Sequence, residues 1–110
     1  MKLMLLLLAG LILISGCTQQ TSQGTQQIFE TAKGKCIYIC TTISSDMSDR
    51  SPCLSDNNPE WGISDWVCDV AHSPRQTIDD LPENQCLEFR EGNAHHFIEV
   101  DPGCEFIRAM

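Results

Sequence analysis

Apolar positions are spread unevenly along the chain. Leu3 to Ile14 is apolar apart from Gly10, a run of twelve residues behind the single charge of Lys2. Ser15, Gly16 and Cys17 follow, and then TQQTSQGTQQ at 18–27, which has no charged, aromatic or aliphatic residue. A positive charge, a short apolar run and a small-residue exit predict a signal peptide over 1–16. Twelve apolar residues fall short of the roughly 20 that a membrane-crossing helix needs. The polar run cannot bury enough surface to offset its ordering entropy, so 17–27 is predicted as a flexible tether. From Ile28 onward the apolar positions recur, and 28–110 is expected to form one cysteine-rich globular domain.

Within that domain the pattern suggests short elements. Gln26 to Lys33 suits one or two helical turns stopped by Gly34. KCIYICTT at 35–42 is rich in β-branched and aromatic residues and reads as a strand, with Cys36, Tyr38 and Cys40 on one face. Ser44 to Gly62, with its repeated Ser-Asp pairs and two prolines, reads as loop. Asp65 to His72 fits two periods: a helix capped by Ser64 and followed by Pro74, or a strand with Trp66, Cys68 and Val70 on one face, and its Trp, Val and Cys content favours the strand. Asp80 to Glu91 carries the strongest helix signal, with a capping-box pair in Asp80 and Glu83, Pro82 in the first turn and Gly92 as a stop. Ala94–Val100 and Cys104–Ala109 read as strands joined through Asp101-Pro102-Gly103, where Pro-Gly suits a type II turn in a slightly long or bulged connection. The expected fold class is α+β: a small disulfide-stapled domain with a short antiparallel sheet and one reliable helix.

Seven cysteines cannot all pair with one another, and Cys17 stands apart from the rest. Ile14-Ser15-Gly16-Cys17 resembles the prokaryotic lipobox, with an aliphatic residue, two small residues and a cysteine. The resemblance covers the first seventeen residues. It implies cleavage before Cys17 and a diacylglyceryl group on its thiol, which would hold the chain on the extracytoplasmic face of the cell membrane or envelope. Two acyl chains give stable anchoring where one gives only marginal binding. Cys36, Cys40, Cys53, Cys68, Cys86 and Cys104 remain, an even number spread across the domain, which predicts a framework of three disulfides. A domain this small needs such staples.

Charge narrows the partners. Seven basic and fifteen acidic residues give a formal charge of −8, which becomes −9 once Lys2 leaves with the signal. That balance argues against nucleic acid, whose phosphates require Lys and Arg. The partner expected from the sequence is the membrane, reached through lipid at Cys17. No cofactor is implied.

Candidate chemistry is sparse. Cys36, Cys40, Cys68 and His72 would make a four-ligand metal set if both Cys-X3 pairs were helical. Asp46, Asp49, Asp56, Asn58 and Glu60 offer hard oxygens in a loop, but Trp61 and Val67 stand where an EF-hand requires Gly and Glu. On a regular strand His95 and His96 would point to opposite faces. Trp61 and Trp66 are expected mainly in the core. No nucleophile elbow, His-Glu-X-X-His, phosphate-cradling glycine loop or Cys-X-X-Cys pair is present, so nothing points to an enzyme. The leading expectation is a lipid-anchored extracytoplasmic binding or structural module. The alternative is an exported metal-binding or redox protein using the Cys/His set or the acidic loop.

Overall fold

A computed structural model describes Gly10, residues 20–43 and residues 52–110. Apart from Gly10, the predicted signal-peptide residues 1–16 lie outside these described residues, as do Cys17, Asp46 and Asp49. Helix α1 (Gln20–Ile43) comes first, followed by strand β1 (Trp66–Val70), a one-turn helix α2 (Leu87–Arg90), and strands β2 (His96–Val100) and β3 (Phe106–Ala109). The three strands form one sheet in the order β1-β2-β3. The α+β class and the disulfide staples are those the sequence predicts.

Three element assignments differ. KCIYIC is helical, as part of α1. Ala32, Cys36, Ile39 and Cys40 are all buried, at the 4-3-1 spacing that lines one face of a helix, while Tyr38 is 63% exposed. Over eight residues both periods fit this segment, and the helical stripe shows only when Phe29 and Ala32 are included. Residues 20–27, expected as tether, form the first two turns of α1, exposed over 22–27. Helix propagation from a buried segment costs little once the nucleus exists, and glutamine is a good helix former. Gly34 does not stop the helix.

The helix expected over Asp80–Glu91 is instead two 3-10 turns, Thr77–Asp80 and Pro82–Asn84, followed by α2. Leu81 precedes a proline and adopts extended backbone, φ −68° and ψ 135°, which interrupts the helical ladder. The capping box belongs to Gln76 and Asp79, not to Asp80 and Glu83. Gly92 ends α2 at φ +80°, as its position suggests.

The sheet is mixed. β2 and β3 are antiparallel, but β1 and β2 run parallel, with Trp66 beside His96 and Val70 beside Val100. The intervening residues 71–95 exceed the dozen or so that a parallel crossover requires. The connection between β2 and β3 is bulged at Glu99/Val100, as expected, but its turn is not type II. Gly103 does not take a positive φ. Cys104 does, at +64°, and its N–H donates to the Asp101 carbonyl at 2.8 Å.

Alternation along the strands divides the core. Cys68, Val70, Ile98 and Val100 face α1. Val67 and Phe97 face the other way, against Cys86, Phe89 and Ala94. Three bridges tie these layers together. Cys36–Cys68 joins α1 to β1, Cys40–Cys104 joins α1 to the β2–β3 turn, and Cys53–Cys86 joins the 52–54 segment to the start of α2. Cys36 and Cys40 have different partners, reached from successive turns of one helix. Trp61 is in the core, and its indole N–H donates to the Trp66 carbonyl at 2.8 Å.

Candidate functional site

The sheet face away from α1 carries an unusual row. Asp69 on β1 is in register with Glu99 on β2, and Glu99 with Arg108 on β3. Two carboxylates directly abreast in a sheet repel one another. The fold compensates one of them. Arg75, on the loop after β1, donates from Nη1 to Glu99 Oε2 at 3.2 Å, and Arg108 donates from Nε to Glu99 Oε1 at 3.2 Å. Glu99 is only 5% exposed, so both its oxygens are paired out of bulk water. Arg75 is held in place by Asp80 at 2.9 Å and by the Asp79 carbonyl at 3.3 Å. The Asp80 hydrogen bond, above all, raises its already high pKa.

Asp69 is less well covered, with the Val70 backbone N–H and the Arg75 charge as the groups that favour its ionised form. Its Oδ1 is enclosed and has no hydrogen-bond partner among the described residues. Burial, and next the neighbouring Glu99 charge, push its pKa up to about 8. Asp69 lines a cleft of about 150 Å³. Val67, Phe89 and Phe97 give that cleft apolar walls, and the two phenylalanine rings meet edge to face at 5.2 Å. Arg90 and Arg108 are at the rim, with the Arg108 guanidinium 5.3 Å from the Phe97 ring centre. A half-buried carboxyl with an unmet hydrogen bond, beside an aromatic pair, is the arrangement most suited to hold a small molecule.

The predicted candidates are placed elsewhere. The sulfurs of Cys36, Cys40 and Cys68 are in S–S bonds, so the four-ligand set with His72 is not assembled as free thiolates. The His72 ring faces Asp79 at 2.9 Å, and Asp79 also accepts from the backbone N–H groups of His72 and Gln76. This buried carboxylate fixes the loop that delivers Arg75. In the acidic loop, Asp56 accepts the Leu87 N–H and Asn58 accepts the Glu60 N–H, which are turn and cap interactions. Asp56 also approaches Cys53 and Cys86, but those two sulfurs are bonded to each other.

His95 and His96 do not diverge as a regular strand would have them. His95 precedes β2, and both rings approach the Asp65 carboxylate, His95 through Nδ1 and His96 through Nε2 at 3.7 Å. Asp65 takes a left-handed φ of +69°, and its carbonyl accepts from both histidine N–H groups. The His95 hydrogen bond holds the Asp65 carboxyl below its ordinary pKa. Trp66 stacks on His96 with centroids 4.7 Å apart. This exposed cluster fastens the starts of the two parallel strands.

The sequence reading missed Asp69, Arg75, Glu99 and Arg108. Alternation in DWVCDV and HFIEV does place Asp69 and Glu99 opposite the α1 face. That they stand abreast is a matter of register, which the pattern does not contain.

The chain matches no family model, no curated protein and no solved structure. Among the described residues, no helix is long and apolar enough to cross a membrane.

Proposed function

We propose that the protein is a lipid-anchored extracytoplasmic module that works by binding a ligand at the cell membrane or envelope. The observation that carries this reading is the cysteine arrangement. Six cysteines are consumed in three bridges within one small domain, and only Cys17 is left over. Disulfides persist in oxidising compartments outside the cytoplasm. Cys17 ends a short apolar run in the sequence Ile-Ser-Gly-Cys, where a lipobox cysteine would stand. The cleft beside Asp69 supports a binding role over a purely structural one.

Detergent phase partitioning after expression in an exporting prokaryotic host tests the anchor. Wild type is expected in the detergent phase, and Cys17→Ser in the aqueous phase. Wild type in the aqueous phase, or an acylated Cys17→Ser, overturns the reading.

A further inference from the structure

We infer that the cleft between β1, β2 and α2 is a binding site for a small organic acid, whose carboxylate head is held at the rim by Arg90 and Arg108 and whose apolar body lies against Phe89 and Phe97. This rests on the binding half of the function proposed above and does not depend on the anchor.

Guanidinium groups gather at this cleft. The chain is acidic, with a formal charge of −8 and only four arginines. Three of the four, Arg75, Arg90 and Arg108, line this one cleft. Two carboxylates, Asp69 and Glu99, stand against them. Even with both ionised, the lining carries one positive charge in excess. Burial raises the Asp69 pKa to about 8, which widens that excess at neutral pH.

Hydrogen bonding separates the three arginines. Arg75 spends Nε on Asp80, Nη1 on Glu99 and Nη2 on the Asp79 carbonyl, so it belongs to the scaffold. Glu99 spends both oxygens on Arg75 and Arg108, and the enclosed Asp69 Oδ1 is out of a guest's reach. Arg108 spends Nε on Glu99, and its two Nη groups have no hydrogen-bond partner among the described residues. Arg90 spends Nη1 on the Pro82 carbonyl, and its Nε and Nη2 have no such partner either. Each of these two guanidiniums is tied down by one bond and keeps an open edge, and Arg108 is further steadied by the Phe97 ring at 5.3 Å. A planar fork of unspent N–H groups matches a carboxylate, which accepts two parallel hydrogen bonds.

Size and walls set the rest of the guest. Val67, Phe89 and Phe97 make the walls apolar, and a cavity of about 150 Å³ holds a body about the size of benzene. Burying that body supplies affinity that two rim arginines alone lack, because water and salt screen their charges. The same screening removes most of the repulsion from the chain's net charge beyond about 8–10 Å, while the two guanidiniums act at contact.

The test is a titration of the protein, purified in detergent from an exporting host, with benzoate, benzyl alcohol, benzylammonium and acetate. The probe is the 13C-methyl resonances of Val67, which lines the cleft. Benzoate should give a saturable shift. Benzyl alcohol has the ring without the charge and should bind at least about tenfold more weakly, for want of charge-assisted hydrogen bonds. Acetate has the head without the ring and should also be at least about tenfold weaker. Benzylammonium should give no saturable shift. Arg90→Gln and Arg108→Gln should each weaken benzoate about threefold or more and leave benzyl alcohol unchanged. Arg108→Gln also releases Glu99, whereas Arg90 is exposed and bonded only to a loop carbonyl, so Arg90→Gln is the variant that keeps the fold. Equal binding of benzyl alcohol would mean a purely apolar hollow. Tighter benzylammonium binding would mean a cation site, and equal acetate binding a bare anion site that ignores the rings. Any of these, no saturable shift in folded wild type, or wild-type benzoate affinity in Arg90→Gln, overturns the inference. The phase-partition result is a separate readout, so failure here leaves the anchor standing.

Discussion

Asp69 costs the folded chain stability at pH values above its ordinary carboxylate pKa. Burial and Glu99 raise its pKa to about 8 from an ordinary value near 4. The native state therefore binds a proton more tightly than the unfolded chain does, and stability contributed by the protonated form is complete below about pH 4 and lost as pH rises towards 8. Each pKa unit corresponds to about 1.4 kcal/mol. Asp69→Asn keeps the shape and removes the charge. It is expected to match wild type near about pH 4 and to exceed it by a few kcal/mol near about pH 9. Thermal unfolding of both proteins across that range checks this. Identical pH profiles would mean that Asp69 ionises freely in the fold. Asp65 works in the opposite sense, because His95 lowers its pKa and favours the charged form, so its contribution is lost only in acid.

Helix α1 is the element that orders the rest, since it supplies one end of two of the three bridges. Its buried stripe outweighs the β preference of Ile37, Tyr38 and Ile39. Gly34 sits exposed in the middle of it, and a Cβ added there would meet nothing within 4 Å. Glycine inside a helix costs roughly 0.5–1 kcal/mol relative to alanine. Gly34→Ala is therefore expected to raise stability by about that amount, as read by denaturant unfolding. A loss of stability would mean that this part of α1 is not helical in solution. The helix was half legible in the sequence. Its period-3.6 positions are present, but a strand period fits the same short window, and only burial against the sheet chooses between them. Strands β1 and β2 were legible because each alternates between two packed faces, whereas β3 is bulged, with Phe106 and Ala109 against the same cluster and Arg108 exposed. The region 77–90 was not, because its helix signals are local and Pro82 and the Cys53–Cys86 bridge break them apart.

At the scale of the whole molecule, three bridges hold together a core too small to rely on burial alone. They close loops of 32, 64 and 33 residues. In the chain-entropy account each contributes about 4 kcal/mol by restricting the unfolded chain. Chain exported with Cys17 replaced is expected to show no free thiol in denaturant, with a mass below the reduced chain by the hydrogens of three bridges. Three or more thiols would revive the metal-binding alternative with Cys36, Cys40 and Cys68. Removing the longest loop closure with Cys40→Ala and Cys104→Ala together should cost about 2–5 kcal/mol. It also frees the turn that holds Cys104 at positive φ.

The sequence by itself determined the parity of the cysteines, the strand alternation, the acid balance and the candidate anchor at Cys17. These are properties of composition and of neighbours along the chain, and local chemistry suffices to read them. Which cysteine meets which, the parallel pairing of β1 with β2, and the row Asp69–Glu99–Arg108 were decided only in three dimensions. A strand of alternating residues has the same pattern in every even register and in both directions. Its partner, and therefore the charge that ends up beside each carboxylate, is selected by the packing of the whole sheet against α1 and by the bridges that lock it there.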